Sequence, residues 1–95
     1  MVTDTPLVSI ITVNYNGAEH TLALLDSLQK ISYPNIEVFV VDNASSQSPE
    51  GISQKYPWVK LITSKSNLGF AGGNNLALRQ ATGKYCLLIN NDTEV

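Results

Sequence analysis

The 95-residue chain is predicted to be an α/β domain with a three-layer, Rossmann-like, mostly parallel sheet in strand order 3-2-1-4. Two observations lead there. Four short apolar segments recur with helical segments between them. The first, second and fourth are almost continuously apolar, as parallel strands covered on both faces should be. Right-handed crossovers then wind the chain onto both sides of the sheet and leave strands 1 and 4 adjacent at the switch point, where open α/β sheets bind ligands.

Strand 1 is expected over residues 7–13, where Leu7-Val-Ser-Ile-Ile-Thr-Val13 is rich in β-branched residues and runs into Asn14-Tyr-Asn16-Gly17. Helix 1 is expected over 19–31, because Leu22, Leu25, Leu28 and Ile31 recur every third residue and Leu24 widens the stripe. Pro34 then disfavours helical geometry at Tyr33. Strand 2 follows over 36–41 and ends in Asp42-Asn-Ala-Ser45-Ser46. Ser48-Pro49-Glu50 reads as a cap, a first-turn proline and an acid near the positive end of a short second helix, which closes before Pro57. Tyr56 and Trp58 flank that proline and are expected to pack the helix end onto strand 3, residues 58–62. A third helix is expected to start within 71–75 and run to Ala81, with Gly83 as a left-handed cap. Strand 4, residues 85–89, ends in Asn90-Asn-Asp92, and the chain is expected to stop there with one half-domain complete and no linker or repeat.

A net charge of −2, with lysines and arginines scattered singly, offers no electrostatic footprint for nucleic acid. No apolar run approaches the ~20 residues of a membrane span, and no signal-type segment opens the chain, so a cytoplasmic location is expected. The lone Cys86 reads as a small buried residue of strand 4. His20 reads as a solvated first-turn residue and Lys65 as a solvated loop lysine.

Three strand ends carry candidate chemistry. Thr12, Val13 and Asn14 border the crevice after strand 1, although Asn16-Gly17 is equally a turn signal. Asp42, after strand 2, is placed to accept a hydrogen bond from a ribose hydroxyl or a base N–H, or else to satisfy turn amides. The loop Asn67-Leu-Gly69-Phe-Ala-Gly-Gly73-Asn-Asn75 gathers three glycines and three asparagines before a helix, where backbone can approach a diphosphate or a sugar closely. After strand 4, Asp92 suits either a solvated turn or one bond to Mg²⁺, which takes few protein carboxylates and fills its remaining positions with water and phosphate oxygens.

Taken in order, Val8-Ser-Ile-Ile-Thr-Val-Asn14-Tyr-Asn16, Val41-Asp42-Asn-Ala-Ser45-Ser, the 67–75 loop and Leu88-Ile-Asn90-Asn-Asp92 resemble the amino-terminal half of family 2 glycosyltransferases of the GT-A fold, nearest the rhamnosyltransferase-like branch. The resemblance covers nearly the whole chain. It implies inverting transfer of a sugar from a nucleotide diphosphate sugar, UDP- or dTDP-linked, to an acceptor such as a polysaccharide or a lipid-linked glycan, with Mg²⁺ or Mn²⁺. By position it implies that Thr12, Val13, Asn14 and Asp42 border the nucleotide, that Asn67, Gly69 and Asn75 shape the diphosphate and sugar pocket, and that Asn90 and Asp92 fall on the Asp-x-Asp motif with Asp92 on the metal side. Asn90 departs from that motif, because an amide binds a cation less well than a carboxylate. The resemblance also implies that the catalytic base lies in an acceptor half absent from these residues, so that the fragment binds donor without transferring sugar, and that the full protein works at the inner face of a membrane. The rival reading is a non-catalytic nucleotide-binding module that self-associates as a homodimer through the edge of strand 4. A sugar-phosphate nucleotidyltransferase and an NAD enzyme are disfavoured, because Asn14-Tyr-Asn16-Gly17 is neither a Gly-rich, Arg-containing loop nor a Gly-x-Gly-x-x-Gly turn.

Overall fold

A computed structural model describes residues 6–31, 33–46 and 50–91. Seven elements alternate: β1 (Val8–Asn14), α1 (Ala18–Gln29), β2 (Ile36–Asn43), α2 (Glu50–Lys55), β3 (Val59–Ser64), α3 (Gly69–Leu78) and β4 (Tyr85–Leu88). The strands form one sheet in the order β3-β2-β1-β4, every neighbouring pair parallel, as the alternation of strand and helix requires. β1 and β2 pair from Val8 opposite Ile36 to Asn14 opposite Asp42, so the polar ends of the two central strands stand side by side.

Alternate residues of β1 and β2 face opposite layers. Ile10, Val38 and Val40 pack with Leu24, Leu25 and Leu28 of α1 and with Ile52 and Tyr56 at α2. Ile11, Phe39 and Val41 pack with Ala77 of α3 on the other face. Each of these side chains is almost wholly buried, and at ~1.5–3 kcal/mol for each large one, these two layers hold the sheet.

Several boundaries differ from expectation. α1 ends at Gln29, because Lys30 and Ile31 donate to the carbonyls of Ser27 and Leu28 and tighten the last turn; Ile31 is left exposed. The expected Ser48-Pro49 cap of α2 lies outside the described residues. α3 begins at Gly69, earlier than predicted, because side-chain oxygens of Asn43 and Asn67 accept the backbone N–H groups of Leu68 and Gly69. Gly83 is not a left-handed cap, since among the described glycines only Gly69 has positive φ, at 75°. It is required by close approach instead: a Cβ there would stand 2.5 Å from Ser9 Oγ and 2.9 Å from the Leu7 carbonyl oxygen.

β4 is not buried on both faces. Tyr85, Cys86, Leu87 and Leu88 are all exposed, because β4 is the edge strand and the described helices pack over β1, β2 and β3. Tyr56 is buried under α2 as expected, whereas Trp58 meets it edge to face at 5.7 Å and stays 41% exposed. His20 and Lys65 are exposed.

At the amino end of the sheet, Glu37 of β2 is buried on the α3 face. It accepts hydrogen bonds from Lys60 Nζ at 2.8 Å, from Ser9 Oγ and from the backbone N–H of Thr82 at 2.8 Å. Gly83 N–H donates to Ser9 Oγ, so one carboxylate ties β2, β3, β1 and the connection into β4 together. Burial pushes the Glu37 carboxyl up, but the bonds from Lys60, Ser9 and Thr82 outweigh it and hold the pKa down, from the usual 4.5 to about 2. A depressed carboxylate contributes stability that is complete above its unfolded pKa and is lost as pH falls through the folded one. With the Lys60 side chain 56% exposed and its share screened by solvent, the contribution is about 2 kcal/mol. Glu37→Gln is expected to lower unfolding free energy by about that amount at pH 7, and the gap to wild type should close between pH 4.5 and 2 in denaturant titrations.

Candidate donor site

The carboxyl ends of β1, β2 and β4 and the amino end of α3 enclose a cavity of about 470 Å³. It lies in the ~300–1,000 Å³ range of small-molecule sites. Val13, Tyr15, Asn43, Asn67, Gly69, Phe70, Asn90 and Asn91 line it. Two exposed rings, Tyr15 and Phe70, stand among four side-chain amides. None of these lining side chains carries a formal charge.

Side-chain parity decides which strand-end residues reach the cavity. Val13 and Asn43 point to the α3 face and line it; Thr12, Asn14 and Asp42 point to the α1 face and do not. Thr12 is wholly buried, and its Oγ1 has no hydrogen-bond partner among the described residues. Asn14 and Asp42 hold the loops beneath. Asn14 Nδ2 donates to Asp42 Oδ1 at 2.8 Å, and Asp42 also accepts Ser45 N–H at 3.1 Å and Ser45 Oγ–H at 2.7 Å. Thr21 Oγ–H donates to Asn14 Oδ1 at 2.8 Å, which anchors the first turn of α1. Asn91 Nδ2 donates in turn to Thr21 Oγ1 at 3.2 Å, so the segment after β4 is tied to the end of β1.

The loops after β1 and β2 are also laced to each other. Asn16, in the left-handed region at φ 53°, accepts Ser46 N–H on its side-chain oxygen, and its own N–H donates to Ser45 Oγ. Ala44 is left-handed too, at φ 64°, a conformation that costs a residue with a Cβ roughly 1–2 kcal/mol. The bonds flanking it hold it there.

Of the residues expected at the site, Val13, Asn67, Gly69 and Asn90 meet around the cavity. Asn75 is exposed on α3 outside the lining. Asp92 lies outside the described residues. Tyr15, Asn43, Phe70 and Asn91 line the cavity without having been singled out. Asn43 follows Asp42 at a strand end, so alternation sets the two on opposite faces, but the sequence does not mark which face holds the cavity. Among the described residues, no three His, Cys, Asp or Glu side chains gather to hold a metal ion.

The family model for Glycosyl transferase family 2 matches residues 9–95. The chain belongs to that family. It is 37% identical over 92 residues to an Escherichia coli glucosyltransferase, WfgD, covering 94% of this chain and 36% of that protein. A Pyrobaculum calidifontis mannosyltransferase, PcManGT, solved with GDP-Man and Mn²⁺, superposes with a TM-score of 0.87 at 30% identity, over 97% of this chain and 29% of that one. Staphylococcus aureus TarS, solved with UDP-GlcNAc, superposes with a TM-score of 0.81 at 34% identity, over 90% of this chain and 26% of that one. The architecture is thus that of the GT-A fold, with order 3-2-1-4 as predicted. The chain spans about a third of the length of curated relatives such as WfgD.

Thr21→Val keeps shape and burial but removes the donor to Asn14 and the acceptor for Asn91. It is expected to cost about 1–3 kcal/mol, read by thermal or chemical unfolding, because Asn14 Oδ1 is left buried and unpaired.

Proposed function

We propose that the domain holds the nucleotide diphosphate of a sugar donor in the cavity between β1 and α3, as the donor half of an inverting glycosyltransferase. The observation that carries this reading is the lining itself: neutral amides and two open aromatic rings at the carboxyl ends of parallel strands. The rings of Tyr15 and Phe70 suit a base or a sugar face. Asn67 and Gly69 suit the diphosphate, and Asn90 suits a ribose hydroxyl. Thr12, Asn14 and Asp42 form the layer beneath the nucleotide, where Asn14 and Asp42 hold its loops. The nucleotide sugars bound by PcManGT and TarS support a donor of the same class.

A diphosphate in a lining without cations needs a counter-charge. The amide oxygens of Asn90 and Asn91 are hard neutral ligands, compatible with Mg²⁺ or Mn²⁺ but weaker than a carboxylate. We assign the carboxylate to Asp92, which follows this run directly in sequence. When bound, such an ion supplies Lewis-acid stabilisation of the departing nucleotide. The chain's own contribution is to seat the donor, orient its diphosphate and cover one face of the sugar.

Inverting transfer also needs a carboxylate within reach of the acceptor hydroxyl. No described residue lining the cavity is an acid, so we place that base, and the acceptor site, in the part of the relatives' length that this chain does not span. WfgD is named for a diphosphoundecaprenol-linked acceptor. An acceptor of that kind would bring the domain to the cytoplasmic face of a membrane; no described helix is long and apolar enough to cross one.

A second reading draws on the exposed Tyr85, Leu87 and Leu88 of β4, which would let two copies pair edge to edge. Sedimentation across a hundredfold concentration range decides it: a monomer throughout removes this reading.

Calorimetric titration with UDP, dTDP and GDP in the presence of Mn²⁺ is expected to give binding in the micromolar to millimolar range for at least one nucleotide, and no sugar transfer by the 95-residue chain. No heat at millimolar nucleotide overturns the donor reading, and measurable transfer overturns the placement of the base.

A further inference from the structure

Asn43 closes β2 with its side chain almost wholly buried, yet it lines the donor cavity. Its amide orientation is dictated by backbone. Leu68 N–H can only donate, so the atom 2.9 Å from it must be Oδ1. The Gly69 carbonyl can only accept, so the atom 3.0 Å from it must be Nδ2. Three groups on one loop thus meet a single side chain, because Nδ2 also reaches Asn67 at 2.9 Å.

That third bond settles the orientation of Asn67. The atom it presents to Asn43 Nδ2 also receives the backbone N–H of Gly69 at 2.9 Å. Both neighbours are donors, so this atom is Oδ1, and the group that Asn67 can turn toward a ligand is Nδ2. An NH₂ group only donates, and phosphate oxygens only accept. Asn67 itself is exposed at the cavity. α3 presses against the clamp: a Cβ on Gly73 would stand 3.4 Å from Asn43 Nδ2.

We propose that Asn43 is a positioning residue that fixes the Asn67 amide as a hydrogen-bond donor to the diphosphate of the nucleotide donor. The proposal rests on the donor-site reading above. Asn43 reaches the diphosphate only through Asn67: three of its four hydrogen-bonding positions are already engaged within the protein.

Asn43→Asp tests it. The variant keeps the acceptor for Leu68 but sets an oxygen against the Gly69 carbonyl and Asn67 Oδ1, which drives Asn67 to rotate and turn its oxygen to the cavity. Affinities for UDP and UMP, or for GDP and GMP if guanine nucleotides bind, are measured with Mn²⁺ in wild type and variant. The expected result is a loss of tenfold or more for the diphosphate and less than threefold for the monophosphate. Asn67→Asp, an exposed change that preserves both accepted bonds and therefore the fold, is expected to give the same selective loss with no shift in melting temperature. Unchanged selectivity in both variants, or proportional loss of both nucleotides, overturns the proposal while leaving donor binding intact. Failure of the wild-type chain to bind any nucleotide overturns the donor reading itself; faster amide exchange at Gly69, with Leu68 unchanged, is expected in Asn43→Asp without ligand, and unchanged exchange at Gly69 overturns the rotation of Asn67.

Discussion

The constraint on which the rest depends is the pairing of Asn14 with Asp42 at the ends of two buried strands. A parallel β1–β2 pair in this register sets an amide and a carboxylate side by side with almost no exposure to water. Neither tolerates burial without partners. Each finds the other, and their remaining positions draw in Ser45 from the loop after β2 and Thr21 from α1. Asn91 then joins through Thr21. The loops around the cavity are therefore fixed from below, by the need to satisfy two polar groups that the sheet cannot avoid burying.

On the opposite face the same logic runs through Asn43, which fastens residues 67–69 and gives α3 its starting point. One strand end thus serves two layers: Asp42 organises the α1 side, and Asn43, one residue later, organises the cavity side. At the far end of the sheet Glu37 does the corresponding work under the connection from α3 to β4. The apolar layers supply the bulk of the cohesion, while these three polar clusters fix how the connections leave the sheet.

The order of elements and the 3-2-1-4 topology were legible because buried parallel strands write long apolar runs and handedness leaves few ways to connect them. What the sequence concealed has specific causes. An apolar run covered on both faces shows no alternation, so nothing in Val8 to Asn14 or Ile36 to Asn43 marks which residues look toward α1 and which toward α3. For that reason Thr12 and Asp42 stood out by residue type, while Asn43 and Tyr15, which reach the cavity, did not. The start of α3 was hidden because its capping oxygen from Asn43 comes from a residue more than twenty positions away. β4 looked like a covered strand because its composition matches one; its exposure follows from its place at the edge, which composition does not report. Gly83 had the spacing of a helix cap, yet its reason is a collision with Ser9, a partner more than seventy residues distant.

The β1 register has a consequence for the order in which the site assembles. β1 meets β2 across one helical crossover, Val8 opposite Ile36, but meets β4 only after the whole intervening chain has folded back, Val8 opposite Tyr85. Closing the longer loop carries the larger entropic cost, and non-local pairings form late. The three strands β3, β2 and β1, with the Asn14–Asp42 pair among them, can therefore consolidate first, and β4 docks onto a finished edge. Asn90 and Asn91 arrive with it. The wall of the cavity that Asn90 and Asn91 form is thus the last part of the domain to be built, and the first to open when the edge frays.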